Sequence, residues 1–293
     1  MAEKIVSKGT MFPEEVVSDL FSKVTGKSSL ATLCTQVPVA FNGNDIFVFS
    51  MDNEANIIGE NEAAAGGEVT VAPVKMVPVK IEYGARFSDE YLYASEEKKL
   101  DTLKAFNVGF SAKAARALDI MAFHGVNPRT GVLSPHITQY FDKAVQTVVY
   151  DASAPDNCVE DAVALLGDAD ITGIAMSRTF TSAMAKLENA TGGKKYPDLA
   201  WGGQPKQVNG VPASVNSTVS FGSSKDRAIV GDFANYFKWG YAKQIPMEII
   251  KYGDPDNTGK DLRGHHQIYM RAEVYLGWAI MSDDAFARIV EAG

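Results

Sequence analysis

A chain of 293 residues, 46% of them hydrophobic, is long enough to bury a full core in one large domain or two moderate ones. Its 28 basic residues stand against 36 acidic ones, and the formal charge of -8 disfavours broad electrostatic attraction to nucleic acid or to an anionic membrane. Cys34 and Cys158 have no CxxC or Cys/His neighbour, so neither a disulfide framework nor a zinc site is indicated; the opening MAEKIVSKGTMF lacks an apolar signal core, and no apolar run approaches the ~20 residues of a membrane span.

The first 45 residues read as an arm. Pro13 to Val24 is predicted helical, with Pro and two acids in its first turn, an apolar face from Val16, Val17, Leu20, Phe21 and Val24, and Gly26 as its stop. Ser28 to Gln36 offers a second short helical piece before the extended segment Val37 to Ser50. Asn53 to Gly67 (NEANIIGENEAAAGG) is then too poor in large apolar side chains to anchor itself to a core, and it lies between strand-like Ile46 to Ser50 and Val69 to Ile81. Valines and Ile81 alternate with polar residues on the return side, which predicts an ordered ribbon with one apolar side, and Pro73 and Pro78 limit it to edge pairing. Between Asp52 and Val74 stand five acids (Asp52, Glu54, Glu60, Glu62, Glu68) and no Lys or Arg. Taken alone, the loop also fits a disordered acidic surface segment; as the tip of a ribbon, it fits a contact with basic residues on a partner.

Ser95 to His124 is predicted as one long helix. Ser95, Glu96 and Glu97 form its cap; Leu100, Leu103, Phe106, Phe110, Ala114, Ala117 and Met121 form a narrow apolar stripe opposite a charged face; and Gly125 with Pro128 stops it. GVNPRTG, Gly125 to Gly131, is the expected junction between domains. An α/β section follows: helix over Cys158 to Leu166, strand over Ile171 to Met176, helix capped by Ser177 through Leu187, a hairpin turning on Asn209-Gly210, and strand over Ala228 to Asp232. Met247 to Tyr252 and Gln267 to Trp278 are predicted as long antiparallel strands around the polar turn GDPDNTGKDLRG. In the second of them Ile268, Met270, Ala272, Val274 and Leu276 share a face.

Catalytic motifs are not apparent. His265 and His266 are adjacent before a strand and so point apart, His124 suits the negative end of a helix dipole, and His136 falls in a loop; all four read as structural. Asp168 and Asp170, and the turn acids Asp254, Asp256 and Asp261, resemble calcium-loop material only loosely, without EF-hand spacing. GGKKYPD at Gly192 lacks phosphate-loop order and reads as a mobile loop, and there is no GxSxG elbow.

The order of parts carries a resemblance. Arm, extended hairpin, long helix ending in HGVNPRTG, an α/β section with IAMSRTFTSAMAKLENATG and VNGVPASVNSTV, then paired long strands closing with GWAIMSDDAFARIV together resemble the major capsid proteins of tailed double-stranded DNA phages, over nearly the whole chain. The resemblance implies an α+β Hong Kong-type capsid fold, shared with encapsulin compartments. It further implies an arm (1–45), a peripheral domain (46–133 and 241–276) with extended loop 52–77 and spine helix 95–124, and an axial domain (134–240 and 277–293). It implies a structural, non-enzymatic subunit without cofactor, assembling in the host cytoplasm into pentamers and hexamers of an icosahedral virion shell around weakly contacted DNA. Glu54, Glu60, Glu62 and Glu68 are the expected subunit contacts, and a separate scaffolding protein, a portal and a decoration protein are the expected partners. With lysines only at the loop base, Lys75 and Lys80, the Lys–Asn cross-link of some members is not expected. The alternatives are an encapsulin-like compartment and an α/β enzyme whose hairpin is a lid or dimer clasp.

Overall fold

The computed structural model describes residues 28–51, 69–94, 96–143 and 146–292, together with 57, 58, 60 and 66. The predicted Pro13–Val24 helix, the Ser95 cap and most of the Asn53–Gly67 loop lie outside these described residues.

Ser28 caps a short helix, α1 (Ser29–Leu33), its Oγ accepting the Ala31 amide at 3.1 Å. The chain then crosses a sheet, Val37 donating its amide to the Trp239 carbonyl at 2.8 Å. It passes over Gly240, where a Cβ would come within 1.9 Å of the Val37 carbonyl oxygen, so this close crossing needs glycine. Strands β1 (Asn44–Met51) and β2 (Val69–Met76) form a two-stranded antiparallel ribbon, from Asn44 opposite Met76 to Met51 opposite Val69. Sequence alternation predicts one strand from Val69 to Ile81. Instead the chain breaks at Val77-Pro78, where proline has no N–H to give a ladder, and β3 (Val79–Ser88) joins a different sheet.

After a 3-10 turn at Asp89–Tyr93 comes the spine, α2 (Glu96–His124), 29 residues and roughly 43 Å long at 1.5 Å per residue. Its first part matches the predicted stripe: Leu103 and Phe110 are buried while Lys98, Asp101, Lys104 and Lys113 are exposed. From Ala114 to His124 every residue but half-buried Arg116 is buried. Alanines at 114, 115, 117 and 122 let neighbouring elements close in from several directions, so the charged outer face ends there.

Beyond α2 lie β4 (Thr147–Val149), α3 (Pro155–Leu165), β5 (Gly173–Met176), α4 (Arg178–Met184), β6 (Gln207–Val208), β7 (Val211–Val215), β8 (Asp226–Gly231), α5 (Phe233–Tyr236), β9 (Phe237–Ile250), β10 (Gln267–Ile280) and β11 (Phe286–Val290). A three-stranded antiparallel sheet runs β3-β10-β9, and a six-stranded mixed sheet runs β4-β11-β8-β5-β7-β6. The hairpin β6–β7 turns at Asn209-Gly210, both with positive φ, as a tight two-residue turn requires. Strand β9 begins ten residues before the predicted Met247, because Gly240, Pro246 and scattered lysines obscure its alternation. Helix α4 stops at Met184, short of Leu187. The GGKKYPD segment is a loop closed by backbone hydrogen bonds, Asn189 N–H donating to the Gly193 carbonyl at 2.8 Å and Lys195 N–H to the Leu187 carbonyl at 2.9 Å.

A knot of fully buried rings ties the spine to both sheets. Phe141 packs edge-on against Phe286 (centroids 4.9 Å) and Phe123 (5.6 Å) and stacks on Phe237 (5.6 Å), while Phe233 meets Phe286 at 5.2 Å. These residues come from α2, the Phe141–Lys143 turn, α5, β9 and β11.

Candidate assembly surfaces

Residues opposite one another in an antiparallel pair share a face. On one face of the β1–β2 ribbon, Ile46, Val74 and Met76 pack with Val39 and Ala279, which clamps its base to the body. The other face pairs Phe47 with Pro73 and Phe49 with Val71, and Val69 follows on it. There Phe47 is 68% exposed, Phe49 58%, Val71 53% and Val69 51%. Among the described residues nothing covers this apolar ribbon face. Toward the tip Ile57 is 95% exposed and Glu60 is also exposed; Glu54, Glu62 and Glu68 lie outside the described residues.

The first described residues are held to the spine by Asp119, a fully buried carboxylate. It accepts from Ser28 Oγ, the Ser29 amide (2.8 Å), the Leu30 amide (3.2 Å), Thr218 Oγ1 (2.8 Å) and Asn216 Nδ2 (3.4 Å). Burial pushes its pKa up while this ring of donors opposes the shift. Sequence reading passed over Asp119, although a lone acid inside AARALDIMAF is a visible anomaly.

His124, at the end of the same helix, is buried rather than merely dipole-facing. Its Nε2 lies 2.9 Å from the Thr218 carbonyl, which only accepts, so Nε2 carries hydrogen; Nδ1 faces Asp142 at 3.1 Å. Arg288 bridges Asp142 and Asp226 at 3.0 Å each. Ligand atoms of His124, Asp142 and Asp226 lie within 4.8 Å of one another, but the Arg288 guanidinium, 3.0 Å from both carboxylates, already supplies the cation. Burial alone would lower the imidazole pKa, yet the Asp142 contact outweighs it and raises it; Asp142 is held low by His124 and Arg288 against its own burial. Burial, then the neighbouring Asp142, pushes Asp226 up to about 7.

The sign of the pH dependence follows. His124 and Asp226 both bind protons more tightly in the folded chain, so their stabilising effect is full at low pH and is lost as pH rises through their folded values. Asp142 acts oppositely, but only below the ordinary carboxylate range of about 4. The melting temperature of unassembled subunits is therefore expected to fall as pH rises from the ordinary carboxylate value of about 4 to the folded Asp226 value of about 7, with a shallower slope over that range in Asp226→Asn, whose side chain stays neutral. Thermal melts across pH check this; equal slopes in the two proteins would contradict it.

The other candidate chemistry disperses. His265 and His266 sit in a turn, not an extended lead into β10: His265 Nδ1 meets the Asp261 carbonyl at 2.8 Å, and His266, at φ 53°, faces Asp89 at 3.5 Å. His136, Asp168 and Asp170 are exposed. Among the described residues no helix is long and apolar enough to cross a membrane.

Comparison with known proteins gives the family. The model of the phage capsid family matches residues 8–290. The chain belongs to the phage capsid family. A solved structure from Mycobacterium phage Ogopogo is 30% identical, with 91% of this chain and 92% of that chain covered and a TM-score of 0.79. One from Gordonia phage Cozz is 25% identical, covering 91% and 87%, at a TM-score of 0.73. The capsid of a native GTA particle, 16% identical with 90% of both chains covered and a TM-score of 0.64, shares the fold. A search of curated proteins found no match. This capsid protein has the α+β Hong Kong-type fold and is a head-shell subunit of a tailed phage, a structural protein that assembles with identical copies in the virion. Neither the compartment nor the lid-bearing enzyme is favoured by these likenesses.

Proposed function

We propose that the subunits close their shell as pentamers and hexamers, each laying its β1–β2 ribbon across a neighbour. The face of Phe47, Phe49, Val69 and Val71, bare among the described residues, carries this reading, since a second copy supplies the apolar cover that such a face calls for. The acidic tip, Glu54, Glu60, Glu62 and Glu68, then docks on basic residues of that copy. The arm is 1–45; the peripheral domain takes 46–133 and 241–276, around the spine and the three-stranded sheet; the axial domain takes 134–240 and 277–293, around the six-stranded sheet. The subunit catalyses no reaction. Assembly proceeds in the host cytoplasm with a separate scaffolding protein, a portal and a decoration protein, and DNA is held loosely, in keeping with a net charge of -8.

Light scattering on the purified protein tests the proposal. Megadalton shells, or ring-shaped capsomers before maturation, are expected. A species that stays monomeric or dimeric under all assembly conditions would contradict it.

A further inference from the structure

Between α4 and β6 the chain makes a turn, Pro197–Gly202, that packs on α4 and is pinned by Leu199, buried in the core of the six-stranded sheet. Leu199 N–H donates to the Tyr196 carbonyl at 3.3 Å and Gly203 N–H to the Ala200 carbonyl at 3.0 Å, so the turn is closed by its own backbone. Ala200 (φ -64°, ψ 151°) and Trp201 (φ 58°, ψ 24°) have the dihedrals of the two central residues of a type II turn. The second of those positions calls for glycine or asparagine. This chain places glycines at 202 and 203 and the bulkiest of side chains at 201. That side chain is 105% exposed, and among the described residues nothing in its own subunit covers it. Backbone strain at a bulky residue that gains no contact inside the subunit points to a contact outside it. Asp198, on the same turn, is exposed as well.

Beside the same sheet lies an open groove of about 680 Å³. Half-buried Tyr150, Ala183 and Leu187 give it apolar walls, and Arg178, Ser182 and Lys186, four residues apart in sequence, stand exposed along it. Neither Arg178 nor Lys186 has an ion-pair partner among the described residues. An indole fits such a lining, since aliphatic walls bury its rings and a guanidinium or ammonium is attracted to its face. The carboxylate of Asp198 complements the same two cations. Trp201 does not line the groove of its own chain, so a second copy must bring the two together.

We propose that Trp201 of one copy seats in this groove of the adjacent copy, with Asp198 facing that copy's Arg178 and Lys186. Because the inserted turn and the receiving groove are different parts of one chain, the contact is head-to-tail, and its repetition closes a ring. The inference rests on the pentamers and hexamers proposed above and names a contact that holds them together apart from the ribbon.

The chain has three tryptophans, and Trp239 and Trp278 are 1% and 5% exposed, so a change in intrinsic fluorescence on assembly reports on Trp201. Wild-type emission is expected to move to shorter wavelength and to lose its quenching by iodide as shells form; shells of Trp201→Phe should show neither change. Trp201→Gly, which suits the turn, should melt close to wild type yet need about 30-fold more protein to assemble, the loss expected of an interface hot spot. Ser182→Phe, which fills the groove from an exposed position, and Asp198→Lys should impair assembly without lowering the melt. Arg178→Glu together with Lys186→Glu should restore it in the Asp198→Lys chain. Wild-type shells in which iodide still quenches Trp201 would overturn the inference and leave the shell reading standing. Shielded Trp201 without rescue by the charge exchange would overturn the groove as its seat. A wild type that forms no rings or shells would sink the reading of the capsomers, and this inference with it.

Discussion

Subunits carrying Phe47→Asp and Phe49→Asp together are expected to fold normally and to form no shells. Both side chains are more than half exposed, so a carboxylate at either position meets solvent in the isolated chain, and surface changes of this kind usually fall within ~0.5 kcal/mol. With the ribbon laid across a neighbour as proposed, the same positions are covered in the lattice. Fully burying a Phe contributes about 1.5–3 kcal/mol, so the half still exposed here is worth roughly 1 kcal/mol per ring, and a buried unpaired carboxylate adds a further penalty. Repeated around every subunit, a deficit of a few kcal/mol at each contact is amplified by multivalency. Circular dichroism and melting curves matching wild type, beside light scattering without megadalton particles, are the predicted pair of results. Shells at wild-type yield would mean that the ribbon face is not an interface.

The second large effect is on folding. Asp119→Ala removes the acceptor for two backbone amides of α1, for two hydroxyls and for Asn216. The hydroxyls can rotate to other partners, but the Ser29 and Leu30 amides are fixed by the helix start they belong to. Each buried donor left unmet costs about 1–3 kcal/mol, which puts the total near 3–5 kcal/mol. At ~2–4 °C per kcal/mol for a chain of this size, the melt should drop by roughly 6–20 °C. Asp119→Asn keeps one acceptor oxygen while turning an NH₂ group toward donors, so it should fall between. Hydrogen exchange should show the Ser29 and Leu30 amides losing protection first. A melt for Asp119→Ala within ~2 °C of wild type would remove Asp119 from its anchoring role.

Local signals carried much of the fold. The spine could be read because Leu103, Phe110, Ala114, Ala117 and Met121 repeat at helical spacing and Gly125 ends them; β10 because Ile268 through Leu276 alternate; and the β6–β7 hairpin because Asn209-Gly210 leaves few other turns open. Where the decisive contact is distant in sequence, the signal vanished. Strands β4 and β11 are three and five residues long and are defined by each other and by β8, so no periodicity announces them. Asp119 meets Ser28 across 91 residues, and His124 meets Thr218 across 94. The acidic loop pointed to assembly, but the uncovered side of its supporting ribbon did not show, because Ile46-Phe47-Val48-Phe49 is apolar on both faces and reads as a wholly buried strand.

The most direct measurement is a cryo-electron microscopy reconstruction of the assembled particle at side-chain resolution. It should place Phe47, Phe49, Val69 and Val71 against an adjacent copy, out of contact with water. A particle in which those four side chains remain in solvent, or are covered by their own polypeptide, would contradict the claim that neighbouring subunits complete this protein's packing.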